Sequence, residues 1–150
     1  MQSKLRKAAR AFIPNFPEHE TFAVTLTMKQ HAHTETLDRQ AAEKNLRHFL
    51  NRLNRKCFGS AAVRRHNKRV EVIPVLEKSY SGRLHYHLTL RNPLPDRPFF
   101  FKQMIGRCWS ETKYADKHID IQEAYDVQRW NSYITKQHTK NIDWNNYHAE

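Results

Sequence analysis

Residues 75–90 have the sequence VLEKSYSGRLHYHLTL, which predicts a strand, a tight turn and a second strand. In the second strand apolar and polar residues alternate, so His85 and His87 project side by side from one face. Glu77 lies on the first strand. Two imidazoles and one carboxylate on a rigid hairpin can hold a divalent metal and leave coordination positions open. The hairpin therefore predicts a metal site of Glu77, His85 and His87.

The length of the turn decides whether Glu77 shares a face with the histidines. A two-residue loop would pair Glu77 with Tyr86, whose side chain belongs to the opposite face. A three-residue loop over residues 80–82 pairs Glu77 with His85 instead, and Gly82 suits the left-handed bulge position of such a loop. We therefore expect a three-residue loop, and a two-residue turn would exclude Glu77 as a ligand.

Composition places the chain among basic, folded proteins. It has 150 residues, enough for one domain, and a net charge of +11. Such an excess of Lys and Arg is typical of a protein that binds a polyanion, most often nucleic acid. The sequence has no apolar run long enough for a membrane span and no apolar core of a secretion signal. Cys57 and Cys108 match no zinc or redox spacing, so we expect reduced thiols.

The rest of the chain alternates strands and amphipathic helices in the order β, α, β-hairpin, α, β, α. The elements are expected over residues 21–27, 34–55, 70–90, 97–108, 118–124 and 126–140. This order predicts an α+β fold with a central antiparallel sheet of four to five strands. Its helices should lie mainly on one face, as in ferredoxin-like and RRM-like folds, with the metal site on the open face.

Single residues set several details of this prediction. Thr34, Asp96 and Asp126 are candidate N-caps of the three helices. Pro74 cannot donate to a ladder, so its strand should be an edge strand or carry a bulge. Residues 114–117 are expected to form a connector.

Two further stretches carry candidate binding groups. Residues 55–69 are the densest basic segment, and we expect a charged loop in which Arg64, Arg65 and Lys68 contact phosphate. A second His-x-His at residues 31–33 lacks apolar alternation and a nearby carboxylate, so we assign it to a solvated loop.

The last helix carries a candidate nucleophile, Tyr133, with Lys136 one turn further on. A tyrosine hydroxyl has a pKa near 10, so it attacks poorly unless a neighbouring cation favours its ionisation. A metal on the opposite side of a phosphate neutralises charge and polarises the phosphorus. Together these groups suit attack by tyrosine on a phosphodiester.

In these motifs the sequence resembles the HUH endonucleases, specifically the rolling-circle replication initiators (Rep proteins) of small DNA viruses and plasmids. Residues 22–27 (FAVTLT) look like the first motif, although Met28-Lys29 follows where an asparagine is more usual. Residues 85–87 (HYH) look like the central His-hydrophobe-His motif, and residues 133–136 (YITK) like the Tyr-x-x-Lys motif.

The resemblance implies a sequence-specific single-stranded DNA endonuclease and strand transferase. Tyr133 would attack the scissile phosphate and stay linked to its 5′ end, while Lys136 assists. Glu77, His85 and His87 would hold Mg²⁺ or Mn²⁺ against the phosphate. The residues expected to contact nucleic acid are Thr25, Arg64, Arg65, Lys68 and Gln137.

Three other functions stay open at this point. Tyr133 and Gln137 also fit the Tyr-x-x-x-Gln helix of single-tyrosine transposases of the IS200 type, in which Gln can be a metal ligand. An RRM-like module that binds single strands without cleaving them would use aromatic residues on its open face. A hydrolase with a His₂Glu zinc site would usually carry a His-Glu-x-x-His helix, which this sequence lacks.

The predicted domain organisation is a basic N-terminal arm over residues 1–20, a nicking domain over 21–140 and a tail or linker over 141–150. The expected partner is single-stranded DNA at a replication origin, and a helicase domain or host replication proteins could join it. The expected compartment is the cytoplasm, or the nucleus of a eukaryotic host. The origin sequence and the oligomeric state cannot be predicted from this chain.

Overall fold

A computed structural model describes residues 16–135 and 141–150 of the chain. Six strands and four α-helices follow a short 3₁₀ turn at Glu18–Glu20. The strands are β1 (Thr21–Met28), β2 (His31–Ala32), β3 (Glu35–Thr36), β4 (Val72–Lys78), β5 (Leu84–Arg91) and β6 (Ala115–Glu123). The helices are α1 (Arg39–Phe58), α2 (Ser60–His66), α3 (Pro98–Ser110) and α4 (Val127–Ile134). Among the described residues, no helix has the length and apolar character needed to cross a bilayer.

Four strands form one antiparallel sheet in the order β4-β5-β1-β6, which confirms the predicted α+β class. β4 is an edge strand, as Pro74 predicts. The register opposes Leu26 to Tyr86 and Val24 to Leu88, so the apolar residues of both strands meet on one face.

Helices α1 and α3 cover this apolar face and enclose the main core. Leu46, Phe49 and Leu53 of α1 are fully buried, as the helical stripe predicts. The Phe49 ring packs edge-on against Trp109 of α3, with 5.7 Å between ring centroids. Burial of these large side chains holds the helices against the sheet.

The opposite face carries the polar residues of the same strands and is only partly covered. Helix α4 lies over β5 and β1, and its Val127 and Ile134 are buried there. The C-terminal segment runs along β4, where the Asp143 amide donates to the Pro74 carbonyl over 2.9 Å. The face predicted to be open is therefore closed over part of its area, and the remainder borders the predicted metal site.

The β4–β5 loop has the predicted length. Glu77 opposes His85, and the Ser79 amide donates to the Arg83 carbonyl over 2.8 Å, which leaves three residues, 80–82, outside the ladder. Gly82 has φ +86°, a left-handed conformation that glycine adopts without strain. The three-residue loop is thereby confirmed, and it places Glu77 on the face of the histidines.

The first long helix begins later than expected. Thr34 is not its N-cap, because residues 31–36 form a small β2–β3 hairpin that turns at His33 with φ +57°. Helix α1 is capped instead by Asp38, whose carboxylate accepts from the Ala41 amide over 2.7 Å. The expected loop at residues 31–33 was therefore wrong in its first two residues.

Three other local predictions also need correction. The basic segment 55–69 is not a loop, because α1 continues to Phe58 and α2 occupies Ser60–His66. Helix α3 starts at Pro98 with Arg97 at the N-cap position, so Asp96 does not cap it. The connector at residues 114–117 is mostly strand, because β6 starts at Ala115 and pairs it with Met28.

Neither cysteine forms a disulfide, in agreement with the expected reduced thiols. Burial raises the pKa of the Cys57 thiol to about 12. Burial also raises the pKa of Cys108. Few thiolates are therefore present at neutral pH.

Candidate metal and tyrosine site

The hairpin brings Glu77, His85 and His87 together on the partly open face. The Glu77 Oε2 atom lies 2.9 Å from His87 Nε2 and 3.6 Å from His85 Nε2. The two Nε2 atoms are 3.2 Å apart. All three ligand atoms lie within 4.8 Å of one another, and all three residues are partly accessible. Among the described residues, this is the one group of His, Cys, Asp and Glu with such spacing.

The orientation of His87 fits metal coordination. The Thr25 hydroxyl lies 3.1 Å from His87 Nδ1, on the side of the ring away from Glu77. If Nδ1 carries the ring proton and donates it to Thr25, the Nε2 lone pair points at the carboxylate and can bind a cation. The donor set of two imidazoles and one carboxylate therefore fits a divalent cation that keeps open positions.

Two aromatic residues of α4 adjoin this cluster. The Tyr133 ring lies edge-on to the His87 ring, with 6.3 Å between centroids. Trp130 stacks on Tyr133 at 5.9 Å and also meets His87 edge-on at 5.8 Å. Tyr133 is 52% exposed, so a substrate bound at the cluster can reach it.

Helix α4 is held in this place at both ends. Asp126 caps its N-terminus as predicted, because its carboxylate accepts from the Arg129 amide over 2.9 Å. Further along, the Trp130 indole donates to the Leu88 carbonyl over 3.3 Å. The Thr89 hydroxyl donates to buried Asn131, so α4 is tied to the strand that carries both histidines.

A buried contact supports the same strand from the other face. Tyr86, between the two histidines, donates its hydroxyl to Asp143 over 2.8 Å. Both residues are fully buried, and Asn146 donates to the same Asp143 oxygen over 2.6 Å. Burial, together with the neighbouring Asp143 charge, raises the pKa of Tyr86, so the phenol stays protonated and keeps donating. The C-terminal segment is in this way attached to the centre of the His-Tyr-His stretch.

Not every predicted site residue lies near the cluster. Lys136 and Gln137 lie outside the described residues. Arg64 and Arg65 are exposed on α2. Lys68 lies beside Arg91 and Asn92, at the end of β5 remote from the hairpin loop. From Val72 to Glu77, β4 alone spans about 17 Å, so a contact at Lys68 concerns a different part of any bound nucleic acid.

The second His-x-His forms no comparable cluster. His31 and His33 are exposed in the β2–β3 hairpin, and the His31 ring pairs with the Thr36 hydroxyl over 3.3 Å. Their assignment away from the metal site agrees with the structure.

Sequence reasoning missed the positions of Trp130 and Asp143. Trp130 was assigned to the apolar stripe of its helix, yet its place three residues before Tyr133 puts both rings on one side of α4. Asp143 carried no local signal, because its partner Tyr86 lies 57 positions away along the chain.

The fold and the His-Glu cluster agree with the result of comparison with protein families. The model of the replication-associated protein family of the ORF2 type matches residues 21–142, and the chain therefore belongs to this family. Membership fits a replication initiator that binds DNA. Comparison with curated proteins and with solved structures found no match.

Proposed function

We propose that the protein is an HUH-type replication initiator that nicks single-stranded DNA at an origin through a covalent tyrosine intermediate. One observation carries the proposal: a cluster of two histidines and one glutamate with a half-exposed tyrosine ring 6.3 Å from one histidine ring. Family membership supports the replication role. The net charge of +11 supports an anionic substrate.

Glu77, His85 and His87 would hold a divalent cation, Mg²⁺ or Mn²⁺. A bound cation would neutralise charge on the scissile phosphate and polarise it for attack. The carboxylate of Glu77 supplies the anionic ligand, while Thr25 keeps His87 in the orientation that directs Nε2 towards the cation.

Tyr133 would be the nucleophile. Its Oη attacks phosphorus and forms a tyrosyl–phosphate bond, while the bond from phosphorus to the 3′ oxygen breaks. The electron pair stays on the 3′ oxygen, which takes a proton from water, and the tyrosyl proton leaves to solvent. The downstream 5′ phosphate stays on Tyr133, and attack by a free 3′ hydroxyl reverses the step and joins the strands.

Trp130 and Lys136 would assist the nucleophile in different ways. Trp130 covers one side of the Tyr133 ring and restricts its movement relative to His87. Lys136 would favour ionisation of the hydroxyl by its positive charge. Arg64, Arg65 and Lys68 would contact phosphates at the far end of the sheet, and Thr25 and Gln137 remain candidates for further DNA contacts.

The test uses two pools of single-stranded oligonucleotides of random sequence, one labelled at the 3′ end and one at the 5′ end. Each is incubated with the protein and Mn²⁺ and run on a denaturing gel. Because the downstream fragment stays on Tyr133, only the 3′ label should move with the protein, while the 5′ label should appear in shortened DNA.

Tyr133→Phe should abolish the labelled protein band, and Tyr125→Phe, a change at an exposed tyrosine outside the cluster, should keep it. Binding without any adduct would contradict the proposal and favour a non-catalytic binding module. Shortened DNA without an adduct, unaffected by Tyr133→Phe, would instead favour a metal hydrolase.

A further inference from the structure

A groove adjoins the His-Glu cluster at the end of the sheet where the β4–β5 loop lies. Its volume is about 270 Å³, and its lining includes Ser79, Arg83, His85, Asp116 and His118. His85 therefore borders both the cluster and the groove. A ligand bound at the cluster can extend into the groove without crossing a barrier of other side chains.

The register of the sheet makes this continuity specific. Glu77 opposes His85, and His85 opposes Thr27 on the next strand. The Thr27 hydroxyl donates to the His118 carbonyl on β6, so the row continues to the far edge of the sheet. With strands about 4.8 Å apart, His118 lies about 10 Å beyond His85. It is exposed and belongs to the part of the face that α4 leaves uncovered.

Arg83 forms one wall of the groove and suits an anionic ligand. Its side chain is 57% exposed and lies 3.9 Å from the Asp116 carboxylate. It also donates to the Met28 carbonyl over 3.5 Å. Both contacts involve Nη2, whereas a guanidinium has five N–H donors in a planar fork that matches phosphate oxygens. Arg83 is thus oriented by weak contacts that still permit it to bind phosphate.

Tyr80 stands at the tip of the loop beside this groove and is fully exposed. It follows Glu77 by three positions, so its backbone lies within about 10 Å of the cluster. The loop is fixed beneath it, because the Ser79 hydroxyl pairs with Ser81 over 3.0 Å and accepts from the Arg83 amide over 3.1 Å. An aromatic ring held outward on an ordered loop offers a flat surface for stacking.

We propose that Tyr80, Arg83 and His118 form a subsite for the single-stranded DNA that flanks the phosphate at the cluster. Tyr80 stacks on an unpaired base, while Arg83 and His118 bind the backbone along the groove. Stacking on an exposed ring requires a splayed base, which single strands present and duplexes do not. The inference rests on the proposed function for the identity of the DNA at the cluster.

The test measures the binding of a fluorescein-labelled oligothymidylate by anisotropy, with a chelator present so that no cleavage occurs. Loss of one base–aromatic stack corresponds to a weakening of about 5-fold to 100-fold, which we expect for Tyr80→Ala. Tyr80→Phe keeps the ring and should remain within about 2-fold of the parent protein. Tyr125→Ala, at an exposed tyrosine beyond the opposite end of β6, is the matched control and should bind like the parent.

A second variant tests the backbone contact. Arg83→Ala should weaken binding and reduce the slope of log affinity against log salt by about 0.7, the value for one single-strand phosphate contact. Arg107→Ala, at an exposed position of α3 on the other side of the molecule, should leave that slope unchanged.

The subsite is overturned if Tyr80→Ala binds as tightly as Tyr125→Ala, or if Arg83→Ala keeps the parent slope. The adduct assay separates this result from a failure of the proposed function. An adduct with no effect of Tyr80 rejects the subsite alone, whereas Tyr80-dependent binding without an adduct supports the subsite and rejects nicking.

Discussion

The two faces of the sheet are built from alternate residues of the same strands, yet they do different things. On one face Leu26, Tyr86 and Leu88 are fully buried beneath α1 and α3. On the other, His85 and Thr25 remain partly accessible beside the short helix α4. Because the strand period is two, neighbouring positions of β5 can serve stability and chemistry separately. The difference teaches that a change on one face should leave the function of the other largely intact.

Phe49→Ala tests this separation with the largest expected effect. Phe49 is fully buried against Trp109, so its truncation should lower the free energy of unfolding by about 3–5 kcal/mol. Urea unfolding measures the loss, and calorimetric titration with Mn²⁺ measures metal affinity under conditions in which the variant is folded. Affinity should equal that of the parent. If Phe49→Ala does not fold, Phe49→Leu serves the same purpose, and a parallel loss of metal affinity in either would contradict the separation.

Glu77→Gln makes the converse change. It removes the anionic ligand, and Mn²⁺ affinity should fall by more than about 100-fold, the upper limit expected for loss of an outer partner alone. Urea unfolding should change little, since the Glu77 side chain is 29% exposed. Glu123→Gln, on the exposed edge strand β6, is the matched control. Equal affinities of the two variants would show that Glu77 is not a ligand.

Thr25→Val tests the orientation of His87 with a smaller effect. The change keeps the shape of the side chain but removes the hydroxyl that pairs with His87 Nδ1, so Mn²⁺ affinity should fall by about 10-fold. Thr36→Val removes the equivalent hydroxyl beside His31, outside the cluster, and should have no effect on titration with Mn²⁺. The interpretation fails if both variants bind Mn²⁺ alike.

Gly82→Ala probes the loop that sets the register and has the smallest expected effect. An alanine at φ +86° is strained, so the free energy of unfolding should fall by about 1–2 kcal/mol. Gly106→Ala adds a methyl group in open space within α3 and should instead raise it by about 0.5–1 kcal/mol. Changes of the same sign in chemical denaturation would argue against the left-handed loop.

The part of the site that the sequence could predict is the part made by local rules. Alternation in β5 places His85 and His87 on one face, and Gly82 at the end of a three-residue loop brings Glu77 opposite His85. Both signals lie within sixteen consecutive residues, 75–90, so no distant contact was needed. The side-chain period also predicted the core stripe of α1, including Phe49.

What the sequence could not predict depends on contacts between distant segments. The start of α1 at Asp38 rather than Thr34 follows from the β2–β3 hairpin, whose Glu35 forms an ion pair with Lys113 from beyond α3. The packing of the C-terminal segment on β4 likewise depends on the Tyr86–Asp143 bond. Periodicity and capping preferences carry no information about such partners.

The attachment point of the DNA tests the central claim most directly. After reaction with the random single-stranded pool and Mn²⁺, nuclease treatment and tryptic digestion leave a peptide of residues 130–136, which contains one tyrosine. Mass spectrometry should find a nucleotide remnant on Tyr133 of this peptide. A remnant on Ser132, on another tyrosine such as Tyr80, or on no residue at all would contradict the assignment of Tyr133 as the nucleophile.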